Sequence, residues 1–128
     1  CLDNLEKILS KRKSLAKYYQ TSLSECPEIT IIKSPNQKFE GNNLYFPVEF
    51  QNEEVLDRVI ESLTAEKIYP RRYFYPSLNL LSNFDKSYCP ISEDASKRIL
   101  CLPLHTHMRE EDIEKIASLI VRSLNDDN

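Results

Sequence analysis

PISEDASKRILCLPLHTHMREEDIEKIASLI, residues 90–120, decides the fold. Cys89-Pro90 and Ser92 mark a helix start that runs to about Arg98. Proline is favoured in a first helical turn, where its missing N–H costs nothing. Ile99 to Leu104 (ILCLPL) is dense in apolar residues and predicts a short strand. Glu110, Glu111 and Asp112 then suit the positive end of a last helix. Ile113, Ile116, Ala117, Ile120, Val121 and Leu124 keep helical spacing along it. A helix, a strand and a helix, each with one apolar face, predict helices laid over a small sheet.

The pattern extends toward the N-terminus. Leu2, Leu5, Leu9, Arg12, Ala16, Tyr19 and Leu23 alternate three and four apart, and Ile8 and Leu15 widen that stripe. This is one long amphipathic helix. Its stripe starts at residue 2 without a cap, the expectation for the trailing piece of a longer chain. Arg12 lies on the apolar side, where a charge must be paired or reach out along its stem. Glu28 to Ser34 and Leu44 to Phe50 predict two strands, with a loop from Ser34 through Asn42 between them. Pro47 lacks a ladder donor and points to a sheet edge or a bulge. Asn52 is a cap for a helix whose apolar face is Val55, Leu56, Val59, Ile60 and Leu63. Ile68 to Tyr75 (IYPRRYFY) predicts a further strand, followed by a short irregular or helical stretch through Phe84. The order α-β-β-α-β-α-β-α predicts an α+β fold: a single domain over 1–128, a two-layer sandwich. Its sheet should be small and mostly antiparallel or mixed, with helices on one face.

Composition narrows the function classes. The chain has one glycine, Gly41, in 128 residues. GxGxxG and GxxxxGK[ST] phosphate loops and the GxSxG elbow need several, so none can be present. A net charge of −3 without a broad basic face argues against nucleic acid. No apolar run is long enough for a membrane helix. Cys1, Cys26, Cys89 and Cys101 form no CxxC pair and read as reduced thiols of a cytoplasmic protein. His105 and His107 are the two histidines in the chain, too few for a legible metal site.

The segment Tyr69 to Pro76 is the strongest candidate for binding. As a strand it would place Tyr69, Arg71, Tyr73 and Tyr75 on one side, and Ile68, Arg72 and Phe74 on the other. A guanidinium forks onto carboxylate or phosphate, and tyrosines stack on a ring or donate hydroxyls. Arg71, Tyr73 and Tyr75 are therefore the candidate substrate-binding residues. The competing reading is an amphipathic edge strand whose arginines pair with surface carboxylates.

Three stretches carry a family resemblance that covers nearly the whole chain. LEKILSKRKSLAKYYQTSL resembles the helix that opens the small domain of the DegT/StrS sugar aminotransferases. IYPRRYFYPSL resembles their strand and loop toward the active site, and the closing segment quoted first resembles theirs almost throughout. The resemblance implies the C-terminal domain of a longer pyridoxal-phosphate enzyme of aminotransferase fold type I, preceded by a domain that holds the cofactor. It implies transfer of an amino group, from a donor such as glutamate, to a ketone on a nucleotide-linked sugar, by a homodimer. The Schiff-base lysine belongs to the other domain, so no catalytic or cofactor-binding residue is assigned here and the piece alone is expected to be inactive. A stand-alone α+β module for a small anion is the alternative.

Three positions depart from the family pattern. Leu78 stands where many members have histidine, Lys67 where glycine is common, and Arg109 where a Ser or Thr cap is common. A left-handed Lys67 and a lost cap at Arg109 would each cost about 1 kcal/mol.

Overall fold

A computed structural model describes residues 2–33, 41–83 and 87–125, apart from the side chains of residues 2 and 3. Most of the predicted loop after Ser34, Phe84, Cys1 and the last residues of the polar tail lie outside the described residues. Four α-helices and three strands follow in the order α1 (Leu2–Leu23), β1 (Ile29–Ile31), β2 (Phe46–Phe50), α2 (Glu53–Ala65), α3 (Pro90–Arg98), β3 (Ile99–Leu102) and α4 (Glu110–Asn125). The sheet is antiparallel throughout, with order β1-β2-β3. The α+β expectation holds.

Alternation along β2 generates the core. Phe46, Val48 and Phe50 are buried, whereas Pro47 and Glu49 are half-buried on the other face. Leu102 and Leu100 of β3 pair with Phe46 and Val48 and continue the apolar face. Onto it pack Leu15, Ala16, Tyr19 and Leu23 of α1, Leu56, Val59 and Leu63 of α2, and Ile113, Ile116 and Ile120 of α4. Each fully buried aliphatic chain contributes about 1.5–3 kcal/mol. The Tyr19 ring stacks on Phe46, with centroids 4.8 Å apart, and its hydroxyl donates to the Pro103 carbonyl at 2.9 Å. The N-terminal part of the α1 stripe is not covered: Ile8, Leu9 and Arg12 are half-buried, and Leu5 is 48 % exposed. Nε of Arg12 has no hydrogen-bond partner.

Two strand expectations change. Pro47 lies in the central strand, not at an edge or a bulge. It is tolerated there because its backbone turns to the β1 side just where that strand ends. Its carbonyl accepts from Ile32 at 3.3 Å, and the donor it lacks would have made only the last bond of the ladder. The strand predicted from Ile68 to Tyr75 is absent. Arg71 alone bridges to Cys101, on the outer edge of β3, through N–H to O bonds of 3.0 and 2.8 Å. Pro70 offers no N–H, and Arg72 is drawn toward α2 and α3, so the ladder does not propagate.

Helix ends follow the sequence closely. Asn52 Oδ1 accepts from Val55 N–H at 2.9 Å. At the other end of α2 the chain turns through Lys67, at φ 60°. Lys67 N–H bonds the Thr64 carbonyl and Ile68 N–H bonds the Leu63 carbonyl, the paired closure that a left-handed residue permits. At α4 the Arg109 N–H donates to Asp112 Oδ2 at 2.7 Å, which is one half of a capping box. Arginine cannot supply the other half. Lys67→Gly should raise stability by about 1 kcal/mol by removing left-handed strain, and Arg109→Ser should add about 1 kcal/mol by completing the cap. Urea denaturation of the single and double variants checks both values and their additivity.

Candidate functional site: an aromatic and basic groove

The bridge to Cys101 sets Arg71 beside the end of β3, and a groove of about 640 Å³ opens there. That volume suits a small-molecule site. Its floor is Leu102, Pro103 and Leu104, and its rim carries Tyr45, Lys67, Tyr69, Arg71, Tyr73 and His105. Arg71 Nη1 donates to the Tyr73 hydroxyl at 3.1 Å. The Tyr73 ring packs against Tyr45 at 5.0 Å and edge-on to Phe74 at 6.0 Å. An exposed guanidinium fixed at its backbone beside two rings can take an anion attached to a flat group.

The two arginines have separate work. Arg72 is largely enclosed, and both its terminal nitrogens are engaged while its buried Nε has no hydrogen-bond partner. Its Nη2 meets Glu53 Oε1 at 3.0 Å, its Nη1 meets Asp57 Oδ1 at 3.3 Å, and Nη2 also donates to the Ser96 and Lys97 carbonyls. The Tyr75 ring lies 3.4 Å under its guanidinium carbon. The Tyr75 hydroxyl is hydrogen-bonded to Glu53, which raises the phenol's pKa and lowers that of the carboxyl. Arg72 therefore behaves as the carboxylate-pairing arginine of the competing reading, and Arg71 faces the groove.

Of the predicted set, the structure brings Arg71 and Tyr73 together and takes Tyr75 to the Arg72 cluster. Tyr69, Arg71 and Tyr73 all line the groove, but so does Ile68, which strand alternation put on the opposite side. Tyr45 and Lys67 were not singled out as site residues. The signal for Tyr45 was its place just before β2, two residues from Pro47, the partner of Cys101, which in turn bridges Arg71. His105 lines the groove and His107 lies 6.2 Å from it, ring to ring. Among the described residues no three His, Cys, Asp or Glu side chains converge to hold a metal ion.

Burial pushes the Cys101 thiol up, and Cys26 likewise with help from Glu28 and Glu25; Cys26, Cys89 and Cys101 are all free. No helix among the described residues is long and apolar enough to cross a membrane. The loop after Tyr75 is held by a polar knot. Ser77 Oγ donates to Asn79 Oδ1 at 2.7 Å, and Asn79 Nδ2 donates to Glu93 Oε1 at 2.7 Å. This fixes the stretch containing Leu78.

Taken as a whole, the architecture is that of a small α+β domain with a groove lined by arginine, lysine and tyrosine side chains. The model of the DegT/DnrJ/EryC1/StrS aminotransferase family matches residues 1–121, and the chain belongs to that family. It is 30 % identical, over 94 % of its length, to the dTDP-4-amino-4,6-dideoxy-D-glucose transaminase of Escherichia coli, and it covers 34 % of that relative. The aminotransferase TlmJ of Streptoalloteichus hindustanus superposes with a TM-score of 0.89 over 99 % of this chain and 34 % of its own, at 22 % identity. A structure of Spr1654 from Streptococcus pneumoniae, described as its PMP-form, superposes with a TM-score of 0.84 at 20 % identity, over 95 % of this chain and 32 % of its own. The chain thus spans about a third of the length of the relatives it matches.

Glu53, Glu66 and Asp94 are all held below the usual carboxyl pKa: Glu53 by Tyr75 and Arg72, Glu66 by Lys115, and Asp94 by Arg98. A carboxyl whose folded pKa is depressed contributes stability above its unfolded value, and that contribution is lost as pH falls through the folded one. Stability should therefore fall as the solution is acidified below about pH 4. Glu53→Gln should flatten that part of a thermal-melting profile; an unchanged profile would show that Glu53 contributes nothing to it.

Proposed function

We propose that this chain is the C-terminal, small domain of a longer sugar aminotransferase. That enzyme moves an amino group, from a donor such as glutamate, onto a nucleotide-linked keto-sugar. The Arg71–Tyr73 pair at the mouth of the groove carries this reading. It is supported by membership of the family and by a relative whose name specifies a dTDP-linked sugar. In this reading Arg71 forks onto the donor carboxylate or the diphosphate of the sugar nucleotide, and Tyr73 presents its ring and hydroxyl beside it. Tyr75 acts through Arg72, keeping the strap between α2 and α3 in place. The enzyme is a homodimer and works in the cytoplasm, where thiols stay reduced.

Pyridoxal phosphate is the cofactor this reading requires. It supplies the electron sink, and it needs a lysine for its Schiff base and an acidic partner for its ring nitrogen. The residues of the groove do not fit it. Of the two lysines that line the groove, Lys115 is held by Glu66 at 2.8 Å and Lys67 sits exposed at the rim, and the Asp112 Oδ2 is taken by the Arg109 N–H. A separate domain holds the cofactor, and the chain by itself is inactive.

In the full-length enzyme, Arg71→Ala should raise KM for one substrate about 10- to 100-fold, the loss of a charge-assisted contact. It should leave the melting temperature nearly unchanged. Arg72→Ala should instead lower the melting temperature, because it leaves Glu53 and Asp57 without their shared cation and empties its largely buried place between α2 and α3. Steady-state kinetics with both substrates and thermal melts separate the two. An Arg71→Ala enzyme with unaltered KM values would overturn the assignment.

A further inference from the structure

We propose that Lys67 is a second substrate cation of the groove, and that with Arg71 it selects a nucleoside diphosphate over a single carboxylate. The proposal rests on the reading of Arg71 given above and names which of its two anions is bound. Lys67 occupies the left-handed position after α2, at φ 60°, where glycine fits without strain and a lysine does not. The turn itself needs no side chain, because it is closed by the backbone bonds from Lys67 to Thr64 and from Ile68 to Leu63. A strained residue that the fold does not require points to a use for its side chain.

That side chain borders the groove that Arg71 borders, and it makes no ion pair among the described residues. The groove's other charged side chains have partners, with Asp112 keeping its negative charge. Lys115 is paired with Glu66 at 2.8 Å, and Asp112 accepts the Arg109 N–H at 2.7 Å. Two cations, Lys67 and Arg71, are left facing the opening. A lysine also suits the negative end of a helix, but any position in the last turn would serve that purpose without strain. One carboxylate is met by one forked guanidinium. A diphosphate spreads more charge over two phosphoryl groups and is met better by a guanidinium and an ammonium together. Tyr73 and Tyr45 add ring surface for the attached nucleoside or sugar.

The test is calorimetric titration of thymidine diphosphate into the full-length enzyme, with glutamate KM measured in parallel. Lys67→Gly should raise the melting temperature and yet weaken thymidine diphosphate 5- to 20-fold, with glutamate KM unchanged. Lys67→Arg should bind within about twofold of the parent. If Lys67→Gly binds thymidine diphosphate normally while Arg71→Ala does not, the role of Lys67 is overturned and that of Arg71 stands. If neither variant loses affinity for either substrate, the reading of Arg71 falls as well. A loss confined to glutamate would overturn the diphosphate assignment.

Discussion

Tyr19 ties the fold to the groove. Its ring stacks on Phe46 in the middle strand, and its hydroxyl reaches the Pro103 carbonyl just beyond β3. One fully buried side chain therefore seats the first helix on the sheet and holds the start of the β3–α4 connection. That connection supplies Pro103, Leu104 and His105 to the groove. The hydroxyl must be paired because burial removes it from water, and the same burial pushes its pKa far up. Groove floor and hydrophobic core thus share a common support.

Neighbouring arginines in one segment do opposite things for a physical reason. Arg72 finds two carboxylates, two carbonyls and an aromatic face within reach, so its terminal nitrogens are occupied internally. Among the described residues the Arg71 guanidinium finds only a tyrosine hydroxyl. The first arrangement fixes the strap between α2 and α3. The second leaves a cation available beside two rings. The polar knot of Ser77, Asn79 and Glu93 extends the same anchoring along the chain.

The helices were legible because their signals are local. Asn52 caps α2, Pro90 opens α3, and the apolar spacing of α4 gives Ile113, Ile116 and Ile120 their burial. β2 was legible from alternation alone. The segment after Lys67 was not, because strand formation depends on a partner. Its β-rich, aromatic composition is real, but only Arg71 meets an edge, and the ties of Arg72 draw the chain away. Pro47 misled for a related reason: its missing donor faces the place where β1 ends, which no reading of β2 by itself can reveal.

The groove divides in the same way. The sequence by itself determined the α+β class, the helix faces and caps, the absence of glycine-built phosphate loops, and the pairing of arginine with tyrosine as the chemistry on offer. Only the tertiary structure decided which arginine is exposed, that Tyr75 goes to Arg72, and that Tyr45 and Lys67 join Arg71. Helical periodicity and capping depend on neighbours in the chain, whereas a groove is made by side chains that meet across strands and helices. Their meeting depends on backbone pairing between Arg71 and Cys101, residues far apart in sequence.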